Sequence, residues 1–287
     1  MKKIFIILSL MLLCACSAGK TGSSISNGND VLFTGPNVSY TKQDLYDSLK
    51  VSSSDALVND IVNNIAKKEN VDFDTIEKEA QEMIDEYIAN GYDSYIIAYY
   101  GSTDAYKKSY IDNKVLEELS KNYVKENYEK TLANDMPIKM QMASFIELSD
   151  AEKFLEDLNN GSTFDMAALN NNTQSEPISS VYTDTDTTLP LEVKEYLNSN
   201  SDLGVSPIIT ITTTTTDSQG QSTETNTYYV VNVESRNDAD FRDEYIALAA
   251  NNVTVDTLYD HLFTKYKIEF FDQDIYNLVT SNYEVLK

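Results

Sequence analysis

The chain has 287 residues, with 22 Lys plus Arg against 46 Asp plus Glu, a formal net charge of -24, two Cys, one His and no Trp. Phosphate backbones are held by cationic faces, so nucleic acid is excluded as a partner. A zinc-hydrolase centre or a Ser/His triad needs more imidazole than the lone His261 supplies, and no metal or cofactor is expected.

Lys2 and Lys3 precede an apolar run from Ile4 to Ala15 broken only by Ser9. A bilayer-spanning helix takes about 20 apolar residues, so this shorter run reads as the core of a secretory signal over 1–15. Leu13-Cys14-Ala15-Cys16 resembles the bacterial lipobox, which makes Cys16 the diacylglyceryl-bearing anchor and the new N-terminus. Cys14 then leaves with the signal, so no disulfide is expected and stability must come from packing. The anionic surface repels anionic lipid head groups, so attachment to the membrane falls to the acyl chains. Residues 16–30, rich in Ser, Gly and Asn, read as a flexible tether.

From 31 to 135 the period is helical. Thr41 opens a segment with Leu45 and Leu49 in register, and Leu57, Ile61 and Ile65 repeat every four residues. Ile76, Ala80, Met83, Ile84, Tyr87 and Ile88 form a second stripe, and Val115, Leu116, Leu119, Tyr123 and Val124 a third. The intervening Tyr92, Tyr95, Tyr99, Tyr100, Tyr106 and Tyr110 read first as core and packing edge, and second as a peptide-binding surface.

At Met136-Pro137 the period changes. Ile138 to Leu148 alternates as a strand, and Ser149 with Glu152 forms a capping box for a helix stopped by Gly161. Phe164 to Leu169 is a short helical turn, and Pro190 to Leu197 a helix with Pro in its first turn. Ile208 to Thr216 and Tyr228 to Val233 form a hairpin around a polar loop. Asp184-Thr185-Asp186 lacks the central Gly and terminal Glu of a calcium loop and reads as solvated. After 236 the pattern is helical again, with Lys267 to Phe270 as a short strand and Ile275 to Val279 as a last helix. The fold class is therefore α+β: a helical arm over 31–135 and another over 236–287, packing together around an inserted domain at 136–235.

A lipobox, two helical arms and an insert of strand, three short helices and a hairpin together resemble the PrsA-type foldase lipoproteins, relatives of the SurA chaperone. Ala143-Ser144-Phe145-Ile146 is similar to the parvulin family's Ala-Ser-His-Ile strand. Asn160 to Phe164 with Ala167, Ala168 and Leu169 is similar to its Gly-x-x-Phe-x-x-Leu-Ala stretch. Leu189-Pro190, Gly204-Val205-Ser206-Pro207 and Tyr228 to Val233 resemble its Val-Pro, Gly-Glu-Val-Ser and His-Ile-Ile-Lys-Val segments. The resemblance implies a parvulin-like prolyl isomerase domain within a lipid-anchored chaperone on the extracytoplasmic, cell-wall side of a Gram-positive membrane, with unfolded or folding exported proteins as partners.

The departures bear on catalysis. By position the two family histidines are Phe145 and Tyr229, so no catalytic residue is assigned, and the Gly-Gly-x-x-Gly turn is absent. Ser144, Leu189 and Val193 are candidates for substrate contact; a one-residue shift would put Thr188 and Glu192 in the proline pocket instead. Because isomerisation needs desolvation and twisting of an amide rather than a proton shuttle, losing the histidines weakens activity without abolishing it by necessity. The alternative function is a non-enzymatic surface lipoprotein serving adhesion or assembly.

Overall fold

The computed structural model describes residues 25–35, 38–52, 54–174, 176–216 and 220–285. The signal segment 1–15 and Cys16 lie outside the described residues. The chain forms two compact units, one of the residues up to Asn122 with those from Val253 onward, the other Tyr123–Asn252.

The first unit opens with a hairpin absent from the helical reading of this stretch, β1 (Val31–Gly35) and β2 (Val38–Thr41). Ahead of it Ile25 to Asp30, expected within the flexible tether, are a hydrogen-bonded turn tied to Gln43 and Lys42. Thr41 and Asp44 cap α1 (Lys42–Ser52) reciprocally, each side chain accepting from the other's backbone N–H. Helices α2 (Ser54–Lys68), α3 (Phe73–Ala89), α4 (Asp93–Tyr100) and α5 (Thr103–Glu126) follow.

The four-residue apolar spacing is what builds this core. Val58, Val62 and Ile65 of α2, Ile76, Ala80 and Ile84 of α3, and Val115 and Leu119 of α5 are buried, each large side chain contributing about 1.5–3 kcal/mol. Asp72 starts α3 by accepting from the Thr75 N–H, and Gly101 ends α4 at φ +80°, a conformation that favours a residue without Cβ.

The C-terminal arm packs into the same unit as α11 (Val255–Lys265) against α2, and as α12 (Gln273–Asn282) against α1 and α2. Lys50, on the inner side of α1, donates to Asp272 and Asp274 at the start of α12. Lys265 and Tyr266 both donate to Glu69.

The expected strand at Lys267 to Phe270 does not form. Lys267 takes φ +51°, Ile268 N–H reaches back to Phe263 and Lys267 N–H to Thr264, so these residues complete the cap of α11. Local capping bonds win because no described strand pairs with this stretch.

The second unit contains α6 (Tyr128–Asp135), β3 (Ile138–Phe145), α7 (Leu148–Asn159), α8 (Phe164–Asn170), β4 (Ser180–Tyr182), α9 (Leu191–Ser199), β5 (Gly204–Val205), β6 (Ile209–Thr216), β7 (Ser222–Ser235) and α10 (Arg242–Asn251). The change of period marked 136 and 235 in the sequence; in the structure α6 and α10 also belong to this unit. Tyr128 and Tyr245 meet edge to face at 5.9 Å, Tyr245 donates to Asp135, and Tyr128 to Asp238.

The sheet is antiparallel, ordered β4-β3-β7, with β5 and then β6 along the far side of β7. Ser206 makes the joint between β5 and β6, donating its N–H to the Val231 carbonyl while its Oγ accepts from the Val231 N–H. The capping box expected at Ser149 and Glu152 is replaced by an earlier start: Glu147 is the cap residue and Ser149 lies inside α7. Asp150 meets the helix N-terminus favourably from within the first turn.

Candidate functional site

Successive side chains of a strand alternate between faces, and the β3–β7 register fixes which ones share a face. Ser144 pairs with Tyr229 and Phe145 with Tyr228. Phe145 therefore lies on the α7 and α8 side with Ala143 and Val230, while Ser144 and Tyr229 lie on the α9 side with Met142 and Val231. The two positions aligned with the family histidines are not brought together; they stand on opposite faces of the sheet.

On the first face Phe145 is fully buried, its ring 5.1 Å from Phe154, which is 4.9 Å from Phe164. A substrate cannot reach this side chain without opening the core. On the second face Leu189 and Val193 do point inward, while Thr188 is exposed and bonded to Asp186. Both inward residues are packed among Ile138, Met140, Leu197, Val231 and Val233, and Val193 has no exposed surface. Beside Leu189 a cavity bordered by Ile138, Tyr182 and Leu197 holds about 10 Å³, enough for a single water and far less than a pyrrolidine ring. Burial, with the charge of Asp186 behind it, pushes the Tyr182 hydroxyl up from its ordinary value.

Asp184 is engaged by side chains of α9, and Asp186 within its own loop. Asp184 accepts from Asn198 and, through its carbonyl, from Lys194; Asp186 accepts from Thr188. His261 sits on α11, in the other unit, so the sheet-bearing unit holds no imidazole.

The accessible chemistry of the helical unit lies where the tyrosines were first read as core. Of α4 only Ile96 is buried, while Tyr95, Ile97 and Tyr99 are 53%, 54% and 71% exposed. The rings of Tyr95 and Tyr99 lie tilted against each other with centroids 4.4 Å apart, and Tyr92, Tyr100 and Ile88 extend the surface. Half-buried Tyr106 meets Tyr87 and Tyr100 edge to face and donates to the Met83 sulfur. Burial first, then Tyr87, pushes the Tyr106 hydroxyl up from its ordinary value. Exposed Asp85, Glu86, Asp93 and Asp104 flank the patch in sequence. Clustered Tyr and Ile in a segment without a clear apolar stripe was the available signal.

A groove of about 470 Å³ lies between α2, α3 and α5, with Phe73 and Ile111 among Asp60, Lys67, Glu77 and Lys107. Sequence reading missed it because its charges look like ordinary solvated helix faces. Among the described residues no helix is long and apolar enough to cross a membrane.

No family model matches the chain, and no curated protein does. Among solved structures it is similar to foldase protein PrsA from Streptococcus pneumoniae, at 18% identity and a TM-score of 0.45, covering 87% of this chain and 98% of that one. The foldase protein PrsA from Lactococcus lactis gives 14% identity and a TM-score of 0.45, covering 87% and 98%. The peptidylprolyl isomerase PrsA from Bacillus cereus gives 16% identity and a TM-score of 0.42, covering 89% and 99%.

Proposed function

We propose that this chain is a foldase-type chaperone for exported proteins, held by lipid on Cys16 at the extracytoplasmic face of the membrane, with a parvulin-like unit that does not catalyse prolyl isomerisation efficiently. The observation that carries the chaperone reading is α4, a helix that exposes Tyr95, Ile97 and Tyr99 and buries only Ile96. Contiguous exposed apolar side chains in a strongly anionic protein suit weak capture of non-native chains, since the charge keeps the complex soluble. The order of lipobox, arm, parvulin-like insert and arm along the sequence supports the same reading.

The reading of lost or weak catalysis is supported by the packing around Phe145, Leu189 and Val193. Lowering a barrier of about 20 kcal/mol requires an apolar pocket that strips water from the prolyl amide and holds it twisted. Phe145 is sealed, Leu189 and Val193 are core, and the cavity beside them holds about 10 Å³.

Refolding of a proline-limited test protein by the chain from Ser17 onward tests both parts. The expected result is an unchanged slow-phase rate with a higher final yield. A faster slow phase overturns the inactive insert. No effect on rate or yield overturns the chaperone reading in favour of adhesion or assembly. The anchor is tested by mass spectrometry of the membrane-extracted N-terminus, with Cys16→Ser expected to release the chain.

A further inference from the structure

β6 and β7 outrun the body of their sheet. Their register continues unbroken from Ile209 opposite Tyr229 to Thr216 opposite Ser222, whereas β3 stops at Phe145 opposite Tyr228. Thr212 to Thr216 and Ser222 to Asn226 are exposed at every position, so this ribbon is covered on neither face. Thr212 donates to Asn226 across it, and the hydroxyls of Thr216 and Ser222 are 3.0 Å apart, which ties the two strands together by side chains as well as by backbone.

Among the described residues β6 pairs with β7 alone. In an antiparallel pair, alternate residues turn their N–H and C=O away from the partner, so the outer edge of β6 presents a row of open donors and acceptors. Natural edges are guarded by Lys, Pro, a bulge or a covering element. From Ile209 to Thr216 this one carries no Lys, Pro or bulge; α9 packs against β6 on the face that holds Ile209 and Ile211, and among the described residues no strand pairs with the outer edge. Glu224 is the one charged side chain among the described residues of the overhang. Threonine is stiff and suited to the extended conformation, so the edge is already shaped as a template.

We infer that the outer edge of β6 docks an extended segment of a non-native polypeptide, which joins the sheet as a further strand. The inference rests on the chaperone reading and names a second mode of client capture, by backbone rather than by side chain. Backbone pairing reads no sequence, and small uncharged threonines bar few side chains, which suits clients of unrelated composition. A foreign chain is favoured over a second copy because two bodies each of formal charge -24 repel on approach.

The probe is a fluorescein-labelled octapeptide of alternating Val and Thr, compared with the same peptide N-methylated at alternate residues so that one edge cannot donate. With the chain from Ser17 onward, the plain peptide is expected to raise its anisotropy and slow amide exchange over Ile209 to Thr216. The methylated peptide, and the Thr213→Lys/Thr215→Lys variant with its fold checked by circular dichroism, are each expected to bind about tenfold more weakly. Equal binding of both peptides, or no slowing of exchange, overturns the inference. Exchange protection that grows with protein concentration in the absence of peptide assigns the edge to a second copy and also overturns it. The refolding yield keeps the two readings apart: a gain in yield without peptide pairing leaves the chaperone reading standing while the β6 edge falls.

Discussion

In the sheet-bearing unit Phe145, Phe154 and Phe164 are closed between β3, α7 and α8, while in the helical unit Tyr92, Tyr95 and Tyr99 stand in solvent on α4 and its N-cap. Both sets are aromatic and both are clustered, yet one is structural and the other accessible. The difference lies in periodicity. Phe145 alternates with Ser144 on a strand whose buried face is fully specified, and Phe154 is in register with Ala151 on α7. Tyr95, Ile96, Ile97, Tyr99 and Tyr100 crowd all sides of an eight-residue helix that can bury one side against its own unit. Phe145, which the motif order singles out, is thus core, and a tyrosine stretch that reads as core is surface.

The sharpest way to break this comparison is at Phe145. Phe145→Ala removes a ring with no exposed surface and is expected to cost about 3–5 kcal/mol in urea unfolding. Phe145→His with Tyr229→His restores both family residue types, yet the slow refolding phase of a proline-limited substrate is expected to stay unaccelerated, because these positions occupy opposite faces of the sheet. Acceleration by the double variant would refute the opposite-face geometry.

The helical unit has its own sealed point. The side chains of Lys50 and Asp272 are 8% and 6% exposed and 3.5 Å apart. Lys50→Met strips that cation from a buried carboxylate that also caps α12, and about 3 kcal/mol of stability is expected to go with it. A loss of stability in urea below a third of that would mean water enters the pair.

An intermediate effect is expected where α6 meets α10. Burial, then the bond to Asp238, pushes the Tyr128 hydroxyl up to about 12, with the Arg242 guanidinium 3.8 Å over the ring. Burial, then Asp135, raises Tyr245 as well. The folded state favours the protonated phenol, so this contribution is complete below the unfolded value of about 10 and is lost as pH rises through about 12. Absorbance at 295 nm should show a last step of tyrosine ionisation that coincides with unfolding. Tyr128→Phe is expected to remove part of that final step and cost about 1 kcal/mol at neutral pH.

The elements with a strict period were legible in the sequence. The four-residue spacing of Leu57, Ile61 and Ile65 led to α2, although its buried face is Val58, Val62 and Ile65, and the alternation from Ile138 led to β3, because burial of one face enforces one period. The hairpin at Val31 was not legible, since β1 is exposed at every position and carries no alternation to read. The strand expected at Lys267 failed because a capping pattern of backbone bonds has no side-chain signature when the left-handed residue is Lys rather than Gly. Motif order alone singles out Phe145 and Tyr229; which face each takes depends on the pairing register, and no single strand encodes that.

The smallest stability effect and the most informative functional one are expected at α4. Tyr95→Ser with Tyr99→Ser removes rings that are mostly in water, so the stability measured in urea should change by no more than about 0.5 kcal/mol. If those rings hold non-native chains, the yield gained in refolding should fall severalfold while the fold is untouched. The pairing of near-zero stability cost with lost yield is what separates a surface kept for clients from tyrosines that only edge the core. A large stability loss with unchanged yield would place α4 among the packing elements and leave the mixed-charge groove between α2, α3 and α5 as the place to look for client contact.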